Sequence, residues 1–598
     1  MIVHQKAIKI GEIMATRILF TGKVDHKYAW PGNEAEGCVD ILTELSSVIS
    51  SAKKSIAVST MTFSYRTDAG KTQADSNVEN IAALLAQKAS QGIDVRIMAN
   101  GGHRFQSGYF RAQRGPVMLS DNNLPALVYR ISFQKASSPA PSGYLVDSGA
   151  KFGARSGGLS YGWDKDVSAS ISPHGNPDAT FTTALLRECY AASNSAGSCT
   201  WSIKLPADYY YVLVATGEAA YSSKSFVHAQ GQTIFIRKNA SGKYQYYDYT
   251  DNGAGEFECS AVEGGKDQNS GLAVSRRLQV KSDGMLNIIV GQAGEVGYSS
   301  IDYIEIYRAS DVNVYGDKGL DKKRIQERGI HHSKFILVDA GTRSQRLWTG
   351  SHNLTPVDPT SASTRSEDAL LTDVPEICTA FRSEFDQWWG ASSGKPDAGL
   401  ARNGVFKIPV VADGTMPGHA LGSKVTWGVR FSPSTTKLPG LDLYKTVSNF
   451  IAPRGSSVSD LLLVMEQFTD GGTYTGSNGT FNGPTQLVKV LKSEAQGGVL
   501  FWAMIGDQSP TESIFTDLTN IPSAKVKSLP SIHDKFAVIN ALKDTPAKAK
   551  GAVLFGSMNW SQGAMHVNDE QTLIIWDPWI ANIFLQRAAQ AAKEASII

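Results

Sequence analysis

Cysteine is scarce in this chain. It has five cysteines among 598 residues, an odd number with none of the paired spacings that build a zinc centre, so no zinc site is expected. Cys189 and Cys199 could close a small loop in an oxidising compartment, with free buried thiols as the equal alternative. Excess charge is missing as well: 58 basic against 56 acidic side chains leave a formal charge of +2. Such a balance gives no general electrostatic footprint for nucleic acid and weighs against a nuclease. No apolar run is long enough to cross a bilayer as a helix. The opening Met1-Ile2-Val3-His4-Gln5-Lys6 lacks the charged head, apolar middle and small-residue cleavage pattern of a secretory leader. The expectation is a soluble protein, secreted only if a leader has been removed, and a monomer.

The length exceeds one ordinary core, which predicts several domains. An α/β texture opens the chain, with a helical pattern near Val39 to Ser51 and a strand at Ser55-Ile56-Ala57-Val58-Ser59. A helix follows whose apolar positions Val78, Ile81, Leu84, Leu85 and Ala89 share one face, with Ser76 as its cap and Gly92 as its stop. The strand Asp94 to Met98 completes a β-α-β unit. From Leu127 to about Tyr307 the chain turns to Gly, Ser and Tyr with short alternating strands such as Tyr209 to Val214 and Met285 to Val290, the pattern of an antiparallel sandwich. The α/β pattern then resumes, passes a charged segment at Asp321-Lys322-Lys323-Arg324, and closes on a helix from Pro375 to Trp389. After a Gly- and Pro-containing stretch, Leu461 to Met465, a helix near Thr485 to Ala495 and Val499 to Ala503 repeat the first half without its insertion, and a last helix starts near Trp579. The order read from these elements is a first lobe over 17–126 and 310–390, an insertion over 127–309, a linker over 391–426 and a second lobe over 427–598. The fold class is α/β, two pseudo-symmetric α/β/α lobes with an all-β sandwich inserted in the first.

One motif occurs in both halves. The first copy is His331-His332-Ser333-Lys334 running into Phe335-Ile336-Leu337-Val338-Asp339, then Gly350-Ser351-His352-Asn353 across an expected hairpin. The second is His533-Asp534-Lys535 running into Phe536 to Asn540, then Gly556-Ser557-Met558-Asn559. On a strand, His and Lys at H-x-K point to the same face, so an imidazole and an ammonium meet one pocket. The serine hydroxyl and asparagine amide would join them, a donor-rich set suited to a phosphate diester. Alternation turns His331 away, and His352 is the variable position of its turn. Glu367 and Glu570 each precede a strand at the same place in their repeat, where a carboxylate can fix an imidazole tautomer and favour its charged form.

These paired motifs resemble the phospholipase D superfamily, whose signature is H-x-K-x4-D with a downstream G-S-x-N. The first copy matches throughout, and the second carries Asn540 where the pattern has Asp. The resemblance implies catalysis by His332, Lys334, Asn353, His533, Lys535 and Asn559, supported by Ser351, Ser557, Glu367, Glu570 and Asp339, the last in a structural role. It implies covalent phosphoryl transfer in which one histidine attacks phosphorus and the other protonates the leaving alcohol, with His332 favoured as the nucleophile. The lysines, asparagines and serines would hold the non-bridging oxygens. No cofactor is required for such catalysis, and calcium is admitted only in the sandwich.

The leading expectation is a phospholipase D acting on glycerophospholipid headgroups at a membrane surface, with Trp348 and Trp560 as apolar contacts beside the motifs. The alternatives are a nuclease or related phosphodiesterase, and a glycan-binding protein on an inactive scaffold. The insertion itself looks like the galactose-binding or malectin-like sandwiches attached to many secreted enzymes. It carries this resemblance at Tyr144 to Gly149, Tyr161-Gly162-Trp163, Ile203 to Pro206 and Ile301 to Ile306, which implies a glycan ligand.

Overall fold

The computed structural model describes residues 16–598, except 66–70, 101–103, 106–110, 115–117, 120–126, 174–187, 193–197, 217–226, 239–243, 249–254, 259–260, 265–270, 275–277, 292–298, 309–312, 318–329, 358–364, 390–409, 419–422, 434–441, 454–457, 470–472, 477–478, 483–484, 507–512, 522 and 543–549. Met1 to Lys6 and the segment Asp321-Lys322-Lys323-Arg324 thus lie outside the described residues. The chain forms two compact units, Met1–His103 with Tyr315–Ile598, and Arg104–Val314.

The larger unit holds both lobes. In the first, β1 (Arg17–Phe20) is followed by α1 (Ile41–Ser50), β2 (Ser55–Thr60), α2 (Gln73–Ser90) and β3 (Asp94–Asn100). After the insertion come β4 (Phe335–Val338), β5 (Arg346–Gly350), β6 (Asp368–Thr372) and α3 (Pro375–Trp389). The second lobe has β7 (Val411–Pro417), β8 (Lys424–Phe431), α4 (Leu443–Ile451), β9 (Asp460–Met465), α5 (Thr485–Gln496), β10 (Leu500–Ile505), β11 (Ala524–Ser528), β12 (Lys535–Ile539), β13 (Ala552–Gly556), β14 (Gln571–Trp576) and α8, which closes the chain at Pro578–Glu594; the two short helices before it are α6 (Ser513–Thr519) and α7 (Gln562–His566).

Strand order states the repeat. The six central strands of the first sheet run β1-β6-β5-β4-β2-β3 and those of the second β8-β14-β13-β12-β9-β10, with β7 and β11 extending the second at its two edges. In both, only the pair joined by a helical crossover is parallel, β2 with β3 and β9 with β10, while the remaining pairs of these cores are antiparallel. A parallel pair needs such a crossover because the chain must return to the same end of the sheet.

Two details differ from the sequence reading. The α2 helix starts earlier than a Ser76 cap allows, because Thr72 and Asp75 form a reciprocal capping box that satisfies two N-terminal donors. The linker is also shorter than 391–426: β7 and β8 both pair into the second sheet, where β8 does for β14 what β1 does for β6.

Helices α3 and α8 lie between the sheets. Phe381, Phe385, Trp388 and Trp389 of α3 and Phe584, Leu585, Ala588, Ala591 and Ala592 of α8 share one continuous apolar core with Phe20, Phe335, Phe431 and Phe536 from strands of both lobes. Phe20 meets Phe584 edge-on at 5.3 Å, and Phe381 meets Phe431 at 5.1 Å. Burying each such ring contributes roughly 1.5–3 kcal/mol, so the lobes are bound through a shared core.

The second unit is a β-sandwich whose core includes Phe133, Trp163, Trp201, Val212, Ile288 and Ile304. Trp163 is fully buried, a core residue unavailable to a sugar ring. Its indole N–H and that of Trp201 both donate to the Asp147 carboxylate, at 3.1 and 2.8 Å. Burial pushes that carboxyl up, while Trp201, Gly149 and Trp163 donors oppose the rise. Cys199 is a free buried thiol, so the bridge to Cys189 does not form.

Candidate active site

Each motif sits where its chain leaves one lobe's sheet to touch the other lobe. His331 pairs with Asp569 as an isolated bridge and Ser366 pairs with Ile532 in the same way. The backbone N–H of His332 donates to the Asp569 carbonyl at 2.9 Å, and that of His533 to the Ser366 carbonyl at 3.0 Å. The first H-x-K therefore precedes its strand, which begins only at Phe335, and the second reaches its strand at Lys535. Extended backbone held by the opposite lobe does here what the sequence reading assigned to strand alternation.

The lobes exchange their carboxylates. His332 Nδ1 donates to Glu570 Oε2 at 2.6 Å, and His533 Nδ1 pairs with Glu367 Oε2 at 2.7 Å. Ser557 Oγ donates to Glu570 at 2.6 Å and Ser351 Oγ to Glu367 at 2.8 Å. The two serine hydroxyls thus stand behind the histidine-carboxylate pairs and are already engaged, which removes them from the set that could face a phosphate. The glycines before them have a steric reason: a Cβ on Gly350 would come 2.1 Å from the Asp368 carbonyl oxygen, and one on Gly556 2.3 Å from that of Gln571.

Lys334 and Lys535 are fully buried and His332 and His533 nearly so. Each lysine donates to the carbonyl of its own motif histidine, Lys334 at 2.6 Å and Lys535 at 2.8 Å. Burial, then the nearby Lys535 charge, pushes the Lys334 ammonium down to about 7. Burial also lowers both histidines, His533 well below its ordinary range, with Lys535 pressing in the same direction. Burial pushes Glu367 well up. His533 senses His332 and Lys334 electrostatically, and Lys334 senses Glu367, Glu466 and Glu570, so the two half-sites form one cluster.

No family model and no curated protein matches the chain. Among solved structures, the chain is matched to Nuc of Salmonella typhimurium, a phospholipase D family member, at 18% identity over 28% of this chain and 95% of that one, with a TM-score of 0.21. NucT from Helicobacter pylori gives 16%, 28%, 96% and 0.21 in the same order. The phosphatidylserine synthase of Haemophilus influenzae is 9% identical over 97% of this chain and 86% of that one, with a TM-score of 0.36.

The remaining sequence-derived residues fall outside the cluster or behind it. His331 Nε2 bonds to Ser59 Oγ at 2.9 Å and its ring meets Trp388 edge-on, so it is structural. His352 is buried and pushed down to about 4 by that burial. Trp348 and Trp560 are buried in the lobes, which removes them as contacts for a lipid surface. Asp339 accepts from the backbone N–H groups of Lys53, Lys54 and Ser55 at 2.7 to 3.1 Å and from Ser344 Oγ. Burial works against its charge, but these donors outweigh it and hold the carboxyl below its ordinary range. In the second lobe Asn540 Oδ1 accepts from Ser459 N at 2.7 Å, and Asp460 takes the Ala541 and Leu542 N–H groups. Both positions have positive φ, 50° at Asp339 and 53° at Asn540, which Asp and Asn tolerate best among residues with a side chain.

Three residues were missed from sequence. Gln571 crosses to the first lobe, donating to the carbonyls of Lys334 and Gly350 at 2.9 and 3.0 Å and accepting from Lys334 N at 2.9 Å. Arg587 is buried on α8, with Nε 3.2 Å from Asp534 Oδ2 and a terminal N–H donating to Ser366 Oγ at 2.8 Å; Ser366 Oγ in turn donates to Asp534. Glu466 lies inside the second half-site. Its carboxylate is 2.6 Å from Lys535 Nζ and 3.2 Å from His533 Nε2, and accepts from Asn559 Nδ2 and Arg365 at 3.1 Å. Burial alone would raise it, yet Lys535 and His533 hold it far below the usual carboxylate range. The only sequence signal was an acid at the end of an apolar strand.

Among the described residues no helix is long and apolar enough to cross a membrane, and no group of three or more His, Cys, Asp or Glu is arranged to hold a metal ion.

Proposed function

We propose that this chain is a phosphodiesterase that works through a phosphohistidine intermediate, in the manner of the phospholipase D superfamily, and that its substrates are glycerophospholipids. The observation that carries the reading is the reciprocal exchange of carboxylates, His332 with Glu570 and His533 with Glu367, around two buried lysines. An ionised carboxylate only accepts, so His332 carries its proton on Nδ1 and presents a lone pair at Nε2. That nitrogen attacks phosphorus, a P–N bond forms, and the P–O bond to the headgroup alcohol breaks as His533 supplies its proton. His533 then takes a proton from water, the oxygen attacks phosphorus and the P–N bond breaks. Transfer to a second alcohol follows the same path with that alcohol in place of water. Lys334, Lys535, Asn353 and Asn559 balance the charge on the phosphoryl oxygens.

A lipid headgroup fits better than a nucleic acid, because the chain as a whole carries only +2 and so lacks the excess positive charge that a polyanion would call for. The proposed roles require no metal, and a glycan remains the proposed ligand of the sandwich.

The test incubates the protein with mixed phospholipid vesicles and, separately, with single-stranded DNA, each in excess chelator. Headgroup release that persists in chelator supports the reading. Cleavage of DNA alone reassigns the substrate, and complete, reversible loss on chelation overturns the metal-free chemistry.

A further inference from the structure

The repeat predicts two equal half-sites, and the structure departs from that symmetry at a carboxylate that faces a motif histidine. The bridge between Phe63 and Leu354 in the first lobe has its counterpart in the bridge between Phe468 and Trp560 in the second. The Leu354 N–H donates to the Thr62 carbonyl at 3.1 Å, and the Trp560 N–H to that of Gln467 at 3.1 Å. These contacts align Thr62 with Gln467 and hence Met61 with Glu466. The position that carries the Glu466 carboxylate in the second lobe thus carries the uncharged thioether of Met61 in the first.

That carboxylate changes what the neighbouring groups can do. Glu466 is held ionised by Lys535, Arg365 and Asn559, so it can only accept. Its Oε1 lies 3.2 Å from His533 Nε2, a contact between a carboxylate and a ring nitrogen that is favourable only when that nitrogen carries the proton, whichever way the other proton sits between Nδ1 and Glu367. A protonated Nε2 has no lone pair for attack on phosphorus. Among the described residues only Nδ1 of His332 has a carboxylate partner, Glu570, and the equivalent of Glu466 is the uncharged Met61.

We propose that Glu466 is a positioning residue that commits His533 to proton donation and leaves His332 as the nucleophile. The proposal rests on the phosphodiesterase reading above and goes beyond it in assigning the asymmetry to a residue outside both motifs. Lys535 and Asn559 are engaged with the same carboxylate, so the first contacts to the phosphoryl oxygens fall to Lys334 and Asn353. The second half-site supplies and then recovers the proton.

The experiment traps single turnovers of the full chain by acid quench and maps the phosphoryl group by mass spectrometry. Phosphatidylcholine vesicles supply a poor leaving alcohol and bis-nitrophenyl phosphate a good one. In the wild type the adduct is expected on His332 with both. Glu466→Gln should lower turnover of phosphatidylcholine about a hundredfold, the scale of a lost general acid, while the nitrophenyl diester, whose leaving group needs little protonation, changes less than about threefold. A merely structural role would lower both alike. In the exchanged variant Met61→Glu with Glu466→Met, the adduct should move to His533.

An adduct on His533 in the wild type overturns the assignment, whatever the variants do. Equal loss of both substrates in a folded Glu466→Gln protein overturns it too, and a gain on both would show that Glu466 only obstructs the anion site. Absence of any phosphohistidine in the wild type would sink the phosphodiesterase reading itself, a distinguishable failure.

Discussion

Lys334 shows how one residue can serve a site at the expense of the fold. Its ammonium is fully buried, and burial together with Lys535 brings it down to about 7. The unfolded chain holds that proton up to the ordinary lysine range, near ~10.4. Between these limits the unfolded state binds more protons, so stability should rise with pH across that window; the cost of the buried charge is fully present below about 7. Lys334→Met is expected to melt at a higher temperature than the wild type at about pH 6, with the gap narrowing toward about pH 10, while diester cleavage is lost. Thermal melts at several pH values check the sign; a variant that melts lower at acid pH would contradict it. Glu466 is the converse case, an acid whose charge is stabilised by three donors and a lysine around it.

At the scale of elements, the two H-x-K segments are anchored by polar turns as well as by apolar strands. Asp339 at the end of β4 accepts three backbone N–H groups from the turn that feeds β2. Asp339→Ala should destabilise the protein by about 3 kcal/mol, because those donors lose a charged acceptor. Asp339→Asn, which restores the side chain of the second copy, should cost about 1 kcal/mol. Urea unfolding midpoints separate the two, and equal losses would refute the carboxylate's role. Helix α8 carries the second anchor. Arg587→Met should cost about 3–5 kcal/mol, because Asp534 would be left as an unpaired buried acid. Adding Asp534→Asn to that variant should recover part of the loss; no recovery in the double variant would show that the arginine acts through packing alone.

For the whole molecule, the six central strands of each sheet, the shared core and the candidate site are all supplied by residues of one compact unit. Replacing Arg104–Val314 by a short flexible linker should leave a protein that folds and still cleaves a soluble diester. Binding to glycan-bearing surfaces is where its loss should be felt. A folded but inactive product, measured with bis-nitrophenyl phosphate, would mean that the sandwich contributes to catalysis.

Two copies of a motif at matching places made the α/β repeat legible in the chain and pointed to His332, Lys334, His533, Lys535, Glu367 and Glu570 as candidates, while a change to Gly, Ser and Tyr with short alternating strands marked the insertion. That information is local: strand periodicity, helix faces and short spacings are properties of neighbouring residues. Other features depend on how the lobes pack, and no local pattern encodes that. Only the tertiary structure could pair His332 with Glu570 and His533 with Glu367 across the lobes, because in sequence each carboxylate lies much closer to the wrong histidine: the true pairs are 238 and 166 positions apart. It likewise turned Ser351 and Ser557 toward those carboxylates, buried Trp348 and Trp560, and brought Glu466 beside Lys535 from 69 positions away in sequence, since a folded core sets distance by packing and not by separation along the chain.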